Sequence, residues 1–493
     1  MRIPFIGGAY AGRSPNVDVQ QLINYYIEGD PKDTRTPRYA VPRGGLALAT
    51  AVASAQGRAL YAFNDSRLFA VVGNTLYEIN VSTFALTNRG TLATSTGRCM
   101  MEDNGAANGH QIMVTDSSGN GYVFDTNANT FTQLTNGTNG WPSGMSGNVV
   151  LTWQDGYGLF NQPGTGEFWW TAAYNFASIP GLQFATAEAC PDNLLSIISD
   201  GTKVFLYGYR TTEVWYDAGL QNQAFVRIPA AVFPIGIAGP YARTKADNSI
   251  IFLGVTTEGQ AKAYQQRGAG VPVGISDQAL SYQLTKLVAA EQNAGTSPIC
   301  LSFELEGHTF VTFTFPTSNV TYVWDAVYKE WFQWQSYNGS SQGAWSPIDH
   351  AYFSGASLGN NGAHFFLDFS GNLLMYSDSG TTDNSQAITY TIQSPHFYHT
   401  NDYLRVEQAQ VVIAGAPASG TMTLSWSKDY GSTFGTGVTF NLNNTPTSRY
   451  YFNRLGRSRD WVFKLTTTSN PIIMDLLVKT SDMDVPQMPG QPK

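Results

Sequence analysis

Glu167 before Trp169-Trp170, Glu213 before Trp215-Tyr216, and the pair Glu304 and Glu306 are the residues of this chain best suited to chemistry. A carboxylate beside a ring that can stack on a sugar is raw material for a glycosidase, which needs two such acids converging on one cleft. No spacing here brings two of them together, and acids fall beside aromatics by chance in a chain that is 13% aromatic. His396-Phe397-Tyr398-His399 is an H-x-x-H without the glutamate or third ligand of a zincin helix. In a strand-rich region its two rings do not share a helical face. Neither a P-loop, nor a dinucleotide fingerprint, nor a G-x-S-x-G occurs. Cys99, Cys190 and Cys300 are widely spaced and form no C-x-x-C, which argues against a disulfide framework or a zinc site and for buried thiols in a reducing compartment. The sequence therefore assigns no catalytic residue, no metal ligand and no cofactor, and leans toward a structural or binding role.

Charge is scarce, 13% of residues, and the net is −8, so no general attraction for nucleic acid or an anionic membrane is expected. Two basic clusters stand against that background: Arg35, Arg38 and Arg43 near the N-terminus, and Arg454, Arg457 and Arg459 near the C-terminus. Arginine is enriched at protein interfaces, so subunit contact competes with a solvated surface as their reading. Ser427-Lys428-Asp429-Tyr430-Gly431-Ser432-Thr433-Phe434 fits S-x-D-x-G-x-T-aromatic and resembles the Asp-box of sialidase-like propellers. Its expected job is a hairpin turn, with the carboxylate accepting backbone N–H groups and glycine permitting the bend.

The elements that must position these residues are short strands. Leu68–Val72, Gly73-Asn74 and Thr75–Ile79 read as a tight β-hairpin. Comparable strand, Gly/Asn turn, strand units recur at roughly 40 to 60 residues, near the period of four-stranded propeller blades. The expected fold is all-β: an extended arm over 1–56, a divergent β-propeller of about six or seven blades over 57–380, an antiparallel, sandwich-like domain over 381–480, and a loose tail over 481–493. One helix is expected near 276–291, capped by Ser276, with Leu280, Leu284, Leu287 and Val288 on one face. The N-terminus lacks an apolar leader segment and no run approaches a membrane span.

Gln20-Gln21-Leu22-Ile23-Asn24-Tyr25-Tyr26-Ile27-Glu28, then Tyr39-Ala40-Val41-Pro42-Arg43-Gly44-Gly45-Leu46, resembles the opening of the packaged-DNA stabilisation proteins of short-tailed phages, where Q-x-x-x-N-x-Y precedes a P-G-L-like turn. Ile275-Ser276-Asp277-Gln278-Ala279-Leu280 is similar to the I-S-x-x-A-[IL] element of that group. Pro42-Arg43-Gly44-Gly45-Leu46 departs from a plain P-G-L by an inserted Arg-Gly. The resemblance implies a non-enzymatic virion protein, assembled in the host cytoplasm: a tail hub or nozzle whose copies, six by family analogy, form a ring below the portal and head-to-tail adaptor. Such a ring continues the DNA channel, retains packaged DNA without sequence-specific binding, and anchors tail spikes, fibres or a needle. Asn24, Tyr25, Tyr26 and Arg43 are then expected to dock the arm on its own or an adjacent subunit, and Arg454, Arg457 and Arg459 to form a second contact. A carbohydrate-active or glycan-binding propeller, and a DNA-retaining plug, remain open alternatives.

Overall fold

The computed structural model describes the chain except for residues 1–4, 9, 12–13, 15–17, 30–37, 64–66, 106–109, 221–222, 355–361, 399–402, 415–419, 443–446 and 483–493. In place of divisions at residues 56 and 380, it gathers into two compact units: Leu46–Thr321 with Ala344–Gly380, and Met1–Gly45 with Tyr322–Gly343 and Thr381–Lys493.

The first unit is a β-propeller of seven sheets. Blade 1 is Gly57–Phe63, Arg67–Val72, Thr75–Ile79 and Leu86–Thr91; blade 2 is Met100–Asp103, Gln111–Thr115, Gly121–Asp125 and Thr130–Gln133. Blade 3 is Leu151–Gln154, Tyr157–Asn161, Glu167–Trp170 and Phe184–Thr186; blade 4 is Leu194–Asp200, Lys203–Gly208, Thr212–Asp217 and Phe225–Phe233. In blade 5 both Ile235–Ile237 and Arg243–Ala246 pair with Ser249–Thr256, followed by Ala261–Gln266 and Val273–Gly274. Blade 6 contributes Ile299–Leu305 and His308–Phe315 to this unit. Blade 7 is Pro347–Phe353, Ala363–Asp368 and Asn372–Ser377, and its fourth strand, Gly45–Ala51, comes from the other end of the sequence. The blades touch in order around a ring, and the first strands of blades 7 and 1 meet to close it.

Each blade is apolar on both faces, so it is stable only between neighbours. Phe69, Val71 and Leu76 of blade 1 pack with Ile112, Val114, Tyr122 and Phe124 of blade 2, and the Phe69 and Phe124 rings meet edge to face at 5.5 Å. Burying such side chains contributes about 1.5–3 kcal/mol each. The hairpins follow local turn chemistry. Asp155-Gly156 and Glu306-Gly307 put both turn residues at positive φ, as a two-residue turn matched to strand twist requires. In the Gly73-Asn74 turn only Gly73 does so, at +56°. Asp116 and Asp368 cap a recurring turn: each Oδ1 accepts the N–H groups two and four residues on, and each Oδ2 accepts from the Asn120 or Asn372 amide.

The expected helix is Gln278–Ala294. Its N-cap is Asp277, whose carboxylate accepts the Leu280 N–H, and not Ser276, whose hydroxyl pairs with that of Ser281. Leu280, Leu284 and Val288 are buried, as is Glu291, which is satisfied by the Thr296 hydroxyl and the Thr317 and Ser318 N–H groups. Among the described residues no helix is long and apolar enough to cross a membrane.

In the second unit, five strands run in the order Tyr25–Glu28, Tyr39–Pro42, Ile472–Asp482, Leu404–Ala414 and Thr447–Ser458. A second series runs Glu330–Tyr337, Val19–Ile23, Tyr390–Gln393, Val462–Thr467, Thr421–Ser427 and Val438–Asn441. The arm is thus a set of strands inserted among C-terminal ones: Leu22 lies opposite Ile392 and Ala40 opposite Ile473. The segment with the aromatic run Trp331–Trp334, expected in the propeller, groups here because Val19–Ile23 pairs alongside it at Gln333. Of the expected tail, residues 483–493 lie outside the described residues.

Candidate functional site

Asn24 and Arg43 are 19 residues apart and meet at the centre of a buried polar network in the second unit. Asn24 sits at φ +61°, a conformation Asn tolerates better than most residues. That turn aims its side chain inward: Oδ1 accepts Arg43 Nε at 2.9 Å and the Gln335 N–H at 2.8 Å, while Nδ2 donates to the Thr389 carbonyl at 2.8 Å. Arg43, 2% exposed, forms a two-pronged pair with Asp383, at 3.0 Å to Oδ1 and 2.6 Å to Oδ2. It also donates to the Gly44 and Gln335 carbonyls, and its guanidinium carbon lies 5.7 Å from the Trp334 ring centre. Ser336 donates to the same carboxylate, and the Tyr390 hydroxyl donates to the Arg43 carbonyl. Tyr25, ring centre 5.4 Å from that of Tyr390, and Tyr26 are both buried.

A planar five-donor cation held by a bidentate carboxylate and carbonyls is a fully satisfied buried charge. Such an arrangement fixes one geometry and is costly to half-remove. Asn24 and Arg43 thus tie the arm to Asp383, Gln335 and Thr389 of the same chain. Arg38 is exposed and pairs with Glu330 at 2.6 Å; Arg35 lies outside the described residues.

Arg454, Arg457 and Arg459 stay on the surface. Arg454 occupies a bulge of its strand at φ +62°. Arg457 and Arg459 flank Tyr403, their guanidinium carbons 5.3 and 4.9 Å from its ring centre.

In the propeller, a cavity of about 690 Å³ opens where residues on or just before the first strand of every blade converge: Gly57, Arg98, Asn148, Leu195, Tyr241, Ile299 and Ile348 among them. Gln292, Gly295 and Thr296 at the helix C-terminus form part of its wall. Arg98 pairs with Asp349 at 3.2 Å and covers the Tyr241 ring. Among the described residues no Asp or Glu lines the cavity. Farther along the first strands, burial pushes the Glu102 carboxyl up to about 7, against the lowering pull of Lys245 and with a raising contribution from Asp103.

The acids singled out for sugar chemistry do not converge on this cavity. Glu213, 3% exposed, accepts the Ala189 N–H and the Trp215 indole N–H. Glu306 accepts from the Tyr376 hydroxyl, and Glu304 is exposed on the same hairpin. Glu167 belongs to the third strand of blade 3 and does not line the cavity. His396 is buried against Asp460 at 2.9 Å; His399 lies outside the described residues. Burial pushes the Cys99 thiol up to about 12 and raises that of Cys300 further, leaving both inert at neutral pH. The S-x-D-x-G-x-T segment is a turn: Asp429 accepts from the Ser427 and Thr433 hydroxyls and the Thr433 N–H, which hold its carboxyl at about 2.

Sequence reasoning passed over Asp383, because nothing local marks an acid as the partner of an arginine 340 positions away, and it passed over Asp116 as well. The aspartate that precedes S-G-N at both 116–120 and 368–372, with one residue between, is a signal that could have found the recurring turn.

Residues 1–363 match the family model described as bacteriophage P22 Gp10, β-propeller. No curated protein matches the chain. Among solved structures, a chain in the crystal structure of the mitotic checkpoint complex is similar to it, at 11% identity, with a TM-score of 0.42, over 71% of this chain and 94% of that one.

Proposed function

We propose a role that proceeds from one premise: this chain belongs to the phage stabilisation family described by the P22 Gp10 β-propeller, and is a structural component of a phage virion. Within the virion it acts as a tail hub, or nozzle: several copies form a ring below the portal and adaptor, hold packaged DNA in, and carry spikes, fibres or a needle. The carrying observation is the span of the family match, which runs from the arm through six blades into the seventh.

Two features of the molecule support the finer reading. The propeller cavity, about 690 Å³, has no room for a duplex whose major groove alone is ~12 Å wide and ~8.5 Å deep. This supports a DNA conduit bounded by several copies rather than by the axis of one propeller. The net charge of −8 also suits a wall along which DNA slides, since affinity for the phosphate backbone comes mainly from Lys and Arg. The chain acts without catalysis in this role. Among the described residues, the cavity lining carries no pair of carboxylates such as the carbohydrate-active alternative requires.

The test is DNA retention. Particles assembled without the protein are expected to fill and then lose their genome to added nuclease, and purified wild-type protein restores protection. Full protection in its absence would contradict the role.

A further inference from the structure

The two units carry opposite charge. Leu46–Thr321 with Ala344–Gly380 holds 12 Lys and Arg against 22 Asp and Glu, a net of −10; the remainder holds 16 against 14, a net of +2. In the positive unit three exposed arginines, Arg405, Arg457 and Arg459, gather at one end of a sheet. Arg405 lies directly opposite Arg457 in the ladder between Leu404–Ala414 and Thr447–Ser458, so both project from the same face. Arg459 and Arg457 lie over the Tyr403 ring, and Tyr403 is 47% exposed. Like charges facing each other across a ladder are destabilising, and among the described residues no carboxylate pairs with Arg405, Arg457 or Arg459. The next strand differs: Lys479 is paired with Glu407 at 3.7 Å.

We infer that the Tyr403, Arg405, Arg457 and Arg459 face docks on the acidic propeller of a second copy of this chain. The inference rests on the reading of the protein as a homo-oligomer and names the surfaces that meet. Carboxylates such as Glu188, Glu258 and Glu304, exposed and without an ion pair among the described residues, supply the opposite charge. Tyr403 holds two guanidinium groups in place, which lowers the side-chain entropy lost on docking. Duplex DNA is the poorer occupant: three phosphate contacts give a salt slope of only about −2.7, against the repulsion of a chain with net charge −8. Because the two surfaces differ, the contact is head-to-tail, and copies close into a ring when the rotation per step allows.

Sedimentation velocity of the full-length protein tests this at low and high salt, about 0.05 and 0.5 M, where the screening length falls severalfold. Wild type is expected to assemble at low salt and dissociate at high salt. R405E/R457E/R459E stays monomeric at both, while K479E assembles as wild type. R457Q/R459Q, which perturbs the fold least, associates at least tenfold more weakly, and circular dichroism checks that each variant is folded. Normal assembly of the folded triple variant, salt-independent assembly of wild type, or monomeric wild type would each overturn the contact. So would retardation of a labelled duplex by wild type that the triple variant loses, which would assign the face to phosphate. None of these results bears on the virion assignment, which incorporation into particles measures separately.

Discussion

Arg43 and Asp383 show how a single buried pair decides where an arm goes. Removing one partner of a satisfied buried ion pair costs about 3–5 kcal/mol, because the other charge is left without water or counter-charge. Arg43→Ala and Asp383→Asn are each expected to lower unfolding free energy by that amount in urea titrations. Replacing both, Arg43→Met with Asp383→Leu, should cost less than the two single changes added. Losses below about 1 kcal/mol for the single variants would mean the arm is held by its strand ladders alone. Glu102 offers a pH test. Its carboxyl is raised to about 7 in the folded chain from an ordinary 4.5, so the folded state binds the proton more tightly. Stability from this group is greatest at low pH and falls as pH rises from about 4.5 to 7. Glu102→Gln is therefore expected to raise Tm by on the order of a few degrees at pH 8. The gain shrinks below pH 7 and vanishes below 4.5, as calorimetry across that range would record.

At the scale of elements, the turns carry the blades. Gly371, at φ +80°, has the Ala55 and Ala53 carbonyl oxygens 2.5 and 2.6 Å from where a Cβ would stand, whereas Gly144, at φ +77°, has nothing within 4 Å. Both pay the left-handed penalty of about 1 kcal/mol when changed to Ala, but Gly371→Ala also forces backbone apart and should exceed Gly144→Ala by more than about 1 kcal/mol. Equal Tm shifts would show that the 368–372 turn can yield. The hairpins were legible in the sequence because their signals are local: Gly73, Asp155-Gly156 and Glu306-Gly307 are needed by their own turns. The helix was legible from Leu280, Leu284 and Val288, though its cap shifted by one residue to Asp277. What could not be read was pairing at a distance. Gly45–Ala51 completes the seventh blade, and Val19–Ile23 enters a sheet with Tyr390–Gln393, through backbone hydrogen bonds that any side chain permits. The buried site was half legible: Asn24, Tyr25, Tyr26 and Arg43 stood out as a group, but their partners Asp383, Gln335 and Thr389 carry no local mark.

For the whole molecule, the proposed role is a wall and not a grip. Isolated protein is expected to leave a labelled duplex unretarded at about 0.15 M salt, since the net charge of −8 repels the phosphates and salt screens the few contacts a scattered set of cations could make. A scaffold of seven blades, each buried between two others, resists deformation and leaves outward loops and faces for partners. The most direct measurement of the central claim is an electron-microscopic reconstruction of the tail vertex of intact particles, with this protein located by a fused tag. The expected result is several copies in a closed ring around a hole wide enough for a DNA duplex. A single copy, copies without a central hole, or a tag found away from the tail would contradict it.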